Sequence, residues 1–135
     1  MANAVYPKYK EALLGGSANI DLLGGTVKVA LVDTGTYTYS AAHQFLSDIT
    51  GRVGTDQTIP ATKTITNGLF RTTGTNTFTA VTGNSVEALV LYVDTGSAST
   101  SRLVAFIDTG VTGLPVTPNG GDITITWNAS GIFQL

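Results

Sequence analysis

Three copies of one tripeptide punctuate the chain: Asp33-Thr34-Gly35, Asp94-Thr95-Gly96 and Asp108-Thr109-Gly110, each after an apolar stretch. Asp-Thr-Gly is the active-site sequence of aspartic proteases, where two aspartates within a few ångströms share one proton above a floor of apolar strands. If 85–93 and 102–107 pair as an antiparallel hairpin, Asp94 and Asp108 close their strands at opposite ends of the sheet and form no dyad. A homodimer that uses Asp33 alone is the one protease arrangement left. The simpler reading is one turn solution used three times, because the aspartate accepts turn amides and the glycine supplies a positive φ.

Ser40, His43 and Asp48 have the letters of a hydrolytic triad, yet they lie close in sequence and no Gly-x-Ser-x-Gly elbow is present. His43 reads as a helix-surface or turn residue making one hydrogen bond. The absence of cysteine removes a thiolate nucleophile and sulfur-built zinc sites, and a single histidine removes imidazole clusters. The 9 acidic residues form no Asp-x-Asp-x-Asp ladder. The pairs Gly15-Gly16 and Gly24-Gly25 lack the spacing and lysine of a phosphate loop. No catalytic, cofactor-binding or metal-ligating residue is therefore expected. Tyr37 and Tyr39, in a threonine-rich turn, offer a small aromatic platform.

The elements that would carry these residues are mostly strands. Charged residues are only 12% of the 135, and threonine outnumbers even the 16 glycines. A β-branched hydroxyl residue favours extended backbone and keeps a strand wettable without charge. The segment 26–33 alternates Val27, Val29 and Leu31, with Ala30 and Val32 making its other face apolar too, as in a central strand. Asn67-Gly68 between 62–66 and 69–72 predicts a tight hairpin. Further strands are predicted at 76–81, 85–93, 102–108, 122–127 and 132–135. Ile123, Ile125 and Trp127 share one face, which makes Trp127 a core residue. About eight short strands at this spacing indicate a two-sheet sandwich or a barrel.

Two short helices complete the prediction. Ser40 precedes Ala41, Ala42, Phe45, Leu46 and Ile49 at helical spacing. The segment 6–14 opens at Pro7 and ends at Gly15-Gly16. It is too short to stand alone, so Tyr6, Tyr9 and Leu13 need a surface, either the domain's own sheet or a neighbour. The second option makes residues 1–16 an N-terminal arm whose Tyr6, Lys8, Tyr9 and Lys10 contact a partner. No linker divides the chain, so residues 1–135 read as one domain. The loop 114–122, with Pro115 and Pro118, reads as a stiff projecting segment or an edge blocked against further pairing.

Net charge is -2 and the seven basic residues are scattered, so no stripe exists to displace counterions from a nucleic-acid backbone. No run approaches a membrane span, and the N-terminus has no leader pattern, as expected of a cytosolic product.

Four segments carry a resemblance: Met1-Ala-Asn-Ala-Val-Tyr-Pro-Lys-Tyr-Lys-Glu-Ala-Leu-Leu14, Val27-Lys-Val-Ala-Leu-Val-Asp-Thr-Gly35, Ser40-Ala-Ala-His-Gln-Phe-Leu-Ser-Asp-Ile49 and Gly113-Leu-Pro-Val-Thr-Pro-Asn-Gly-Gly-Asp-Ile-Thr-Ile-Thr-Trp127. Together they resemble small virion structural proteins of tailed bacteriophages, most of all capsid decoration or cement proteins. The resemblance implies an all-β fold, a two-sheet antiparallel sandwich of jelly-roll type with one or two short helices. It implies attachment to the outside of the head, with the major capsid protein and sister copies as partners and no cofactor. A tail or fibre module that touches glycans is the alternative, and an aspartic protease a remote one.

Overall fold

The computed structural model describes residues 3–135, so the first two residues of the expected arm lie outside the described residues. The chain is predominantly β, and every strand pairing is antiparallel. Its strands are β1 (Ala4–Val5), β2 (Thr26–Val32), β3 (Arg52–Thr58), β4 (Thr64–Thr66), β5 (Leu69–Arg71), β6 (Thr75–Phe78), β7 (Ala88–Asp94), β8 (Arg102–Ile107), β9 (Ile123–Thr126) and β10 (Phe133–Gln134). They form a five-stranded sheet in the order β1-β8-β7-β2-β3, a three-stranded sheet β10-β5-β4 and a pair β6-β9. Buried residues from all three sheets join one core: Val29 and Leu91 from the large sheet, Phe70 from the second, Phe78 and Ile125 from the third.

The local chemistry explains each element. β7 and β8 sit inside the large sheet and are buried on both faces, which is why 88–93 and 102–107 read as continuous apolar runs. β9 alternates, with Ile123 and Ile125 buried and Thr124 and Thr126 exposed. Asn67 and Gly68 turn β4 into β5 with φ of 52° and 78°, the two positive angles that this dipeptide tolerates. β3 departs from alternation: Gly54 has φ 71° and the register shifts opposite Val29 and Leu31, the signature of a bulge on an edge strand.

The helix α1 (Pro7–Gly15) starts at Pro7, whose missing N–H costs nothing in the first turn. It ends at Gly16, left-handed at φ 66°, and the Ser17 amide donates back to the Ala12 carbonyl. Tyr6 and Tyr9 are 0% and 1% exposed. Of the two surfaces expected for this segment the structure supplies the domain's own: both rings face the chain's own core, β1 pairs with β8, and residues 4–15 are docked on the sheet. Lys8 and Lys10 lie on the outer side, Lys8 paired with Glu11 at 3.0 Å.

The second expected helix is corrected. Between Ser40 and Ile49 only one turn of 3-10 helix forms, Leu46–Asp48. The Asp48 carboxylate accepts the amides of Gln44 and Phe45 at 2.8 and 3.1 Å, which fixes those residues in a turn. Phe45 then bridges to Arg102 of β8, and the arginine's guanidinium lies 5.1 Å from the Phe45 ring centre.

Candidate functional site

The register brings residues from four separate stretches to one end of the large sheet. Val32 pairs with Ala88 and Leu89 with Ile107, so the turn after β2, the entry to β7 and the exit of β8 coincide there. They enclose a cleft of about 460 Å³. One wall is the turn, with Thr34, Tyr37, Thr38 and Tyr39; the other has Glu87, Phe106, Asp108 and Pro115.

Tyr37 and Phe106 are nearly inaccessible, each 2% exposed, and form the floor. Tyr39 is half-buried and gives the cleft most of its open aromatic surface. Its ring centre lies 5.2 Å from that of Tyr6 and 5.6 Å from that of Phe106, in tilted packing. Glu87 is fixed by the turn: one carboxylate oxygen accepts both the amide and the hydroxyl of Thr34 at 3.0 Å. Beneath the floor runs a buried chain, Tyr6 hydroxyl to Tyr37 hydroxyl at 2.8 Å, then Tyr37 hydroxyl to His43 Nδ1 at 2.7 Å. Burial raises the Tyr6 and Tyr37 phenols above the ordinary tyrosine range, so both stay protonated.

A groove of about 550 Å³ adjoins the cleft and shares Tyr39 and Phe106 with it. It lies between β1, the edge strand of the large sheet, and β10, the edge strand of the three-stranded sheet. Val5, Ala105, Ile107, Ile132 and Phe133 give it apolar walls, and Asn3, Lys10 and Gln134 are its polar lining.

The sequence-derived candidates separate in space. Asp33 is tied to its own turn: it accepts the Gly35 amide at 2.9 Å, the Thr36 hydroxyl at 3.0 Å and the Asn84 amide at 3.1 Å. Asp94 accepts the Gly96 amide at 3.1 Å and pairs with Lys28 at 3.2 Å. Asp94 and Asp108 do stand at opposite ends of the β7-β8 hairpin. Asp33 and Asp108 stand at the same end with β7 between them, so their backbones are roughly 10 Å apart and no shared-proton pair forms. His43 bonds to Tyr37, Asp48 to backbone amides and the Ser40 hydroxyl to the Ala42 amide, so these three form no triad. Trp127 is core, its indole N–H donating to the Asn76 side chain at 2.8 Å.

Of the platform read from sequence, Tyr39 keeps an open position and Tyr37 does not. Glu87, Phe106 and Pro115 were missed, because only strand register carries them to the turn. The signal was available in part: antiparallel pairing of 26–32 with 88–94 puts Asp33, Glu87 and Asp108 at one sheet end.

Three aspartates have acidities set by these bonds. The Gly35 amide and the Thr36 hydroxyl hold Asp33 below the usual carboxylate range. The Gln44 amide does the same for Asp48. For Asp94 burial acts upward, but the Gly96 amide and Lys28 outweigh it and the net shift is downward. A carboxyl with a lowered native value contributes stability that is complete above its unfolded value, about 4, and is lost as pH falls through the native value. Thermal unfolding followed by circular dichroism is thus expected to show a steady midpoint from pH 7 to 5 and a fall below pH 4. Asp33→Asn is expected to be less stable than wild type at pH 7, with the gap narrowing at pH 3. A constant gap would show that the Asp33 charge is not what its partners hold.

Among the described residues no helix is long and apolar enough to cross a membrane, and no His, Cys, Asp and Glu cluster fit for a metal ion occurs. No protein-family model matches the chain, and comparison with curated proteins gives no match.

Proposed function

We propose that this chain is a capsid decoration, or cement, protein of a tailed bacteriophage. It is made in the bacterial cytoplasm and acts without catalysis on the outer surface of the head, bridging neighbouring major capsid subunits and sister copies. The observation that carries this reading is the apolar groove between β1 and β10. Strand edges beside an apolar trough are adhesive surface, and a stiff sheet loses little entropy on docking. The four segments quoted above support the same reading by resemblance. Low charge density supports it too, since close-packed copies then repel one another little. In this proposal the five-stranded sheet is one layer and the two smaller sheets the other, along a jelly-roll chain path. Many modest contacts add up to a large effect on the particle.

The test is to incubate the protein with heads that lack it, sediment the particles and reconstruct their images. Co-sedimentation with density on the outer face is the expected result. Protein left in the supernatant, or density confined to the tail, would sink the reading. One observation favours a tail or fibre module that binds glycans: the half-buried ring of Tyr39 shares the lining of the cleft with Thr34 and Thr38. A glycan array probed with the isolated protein decides that alternative.

A further inference from the structure

We infer that the cleft and the groove together form one docking surface for an extended segment of a partner protein, with an arginine side chain of that segment seated against Glu87 and Tyr39. It deepens the reading above, resting on it only for which protein supplies the segment.

The groove provides the backbone half. β1 and β10, two residues each, are both edge strands and line the trough, so an incoming strand meets a short strand edge on either side and apolar walls for alternate side chains. Tyr39 and Phe106 belong to groove and cleft alike, so a side chain leaving a strand in the groove turns directly into the cleft.

The cleft selects the side chain. The acid it offers is Glu87, and among the described residues no lysine or arginine lines it. Glu87 makes no ion pair among the described residues. The Thr34 amide and hydroxyl both bond to one Glu87 oxygen, which holds the carboxylate in place. Covering a carboxylate with a neutral group strips its water without return, whereas a cation offsets that cost. The one aromatic ring of the lining that is not fully buried is Tyr39. A guanidinium stacks flat on tyrosine and forks onto a carboxylate; an ammonium does neither as well.

The probe is a blocked pentapeptide of alternating threonine and valine with a central arginine, compared with its glutamine counterpart and with methyl glycosides. Binding is read from nuclear magnetic resonance shifts of the Tyr39 and Phe106 rings and the Ala4 and Val5 amides. The arginine peptide is expected to saturate these shifts, with affinity at least about tenfold above the glutamine peptide. Glu87→Gln is expected to abolish that preference. Thr38→Lys, at an exposed rim position, is expected to block binding with unchanged thermal unfolding, so the test survives if Glu87→Gln folds poorly. Equal affinity for the two peptides, no saturation at millimolar peptide, or stronger shifts from a glycoside would each overturn the inference. Capsid binding separates it from the parent reading. If heads take up wild type and Thr38→Lys equally, this surface is wrong and the capsid reading stands. If the arginine peptide binds but no head does, the surface stands alone.

Discussion

Removal of residues 1–14 is expected to abolish cooperative unfolding, leaving a chain with no sharp thermal transition in circular dichroism. The segment brings Tyr6, Tyr9 and Ala12 into the core, each at most 4% exposed, and its β1 pairs with β8. Emptying the site of one fully buried large aromatic ring costs about 3–5 kcal/mol. Two such losses approach or exceed the whole stability of a typical domain, about 5–15 kcal/mol. The Tyr9 hydroxyl adds a 2.7 Å bond to the Ile20 carbonyl, and burial pushes its pKa up to about 12. Tyr9→Phe is expected to cost about 1 kcal/mol through that bond alone, and Tyr9→Ala several times more. Lys8→Ala and Lys10→Ala are expected to stay within about 0.5 kcal/mol of wild type. A truncated chain with an unchanged melting midpoint would instead show residues 1–14 to be a detachable arm.

That contrast shows why the sequence read correctly in some places and not in others. Strands whose periodicity reports burial were legible: β2, β7, β8 and β9 fell where alternation or continuous apolar runs put them. So was the β4-β5 hairpin, because Asn67-Gly68 encodes its own backbone angles. β3 was not legible, since its bulge at Gly54 breaks alternation and Val53 is its only fully buried residue. The stretch after Ser40 has helical spacing but a competing acceptor, and Asp48 wins the amides of Gln44 and Phe45. For α1 the periodicity gave the right apolar face; which body covers that face is tertiary information.

The cleft was legible by halves for the same reason. Tyr37 and Tyr39 sit two residues apart in a turn and announce an aromatic site locally. Their fates diverge because Tyr37 is held inward by Tyr6 and His43, whereas Tyr39 packs obliquely at the rim. Glu87 and Phe106 reach the site through the β2-β7-β8 register, whose β2-β7 half pairs residues more than 50 positions apart. The Asp-Thr-Gly repeats invited a catalytic reading through their letters, yet Asp33 and Asp94 each bond the amide two residues ahead. The turn reading had already been derivable from the short polar side chain and the glycine that follows.

Trp127→Ala is expected to lower the melting midpoint by roughly 10–20 °C, from about 3–5 kcal/mol for the lost indole in a chain of this size. The residue lies just beyond β9, 4% exposed, and its role is not packing alone. Its indole N–H donates to the Asn76 side-chain oxygen at 2.8 Å, and the Asn76 amide donates to the Thr58 carbonyl at 2.8 Å. Asn76 thus ties the β6-β9 pair to the end of β3, with both of its polar ends satisfied in the interior. Trp127→Phe keeps most of the ring but leaves the Asn76 oxygen without its donor, a cost of about 1–3 kcal/mol. Asn76→Leu strands the indole N–H and the Thr58 carbonyl at similar cost. The double variant removes the donor and the acceptor together, so its loss is expected to be smaller than the sum of the two single losses. Strict additivity would mean that the two side chains act separately and that the link between the sheets is apolar packing alone.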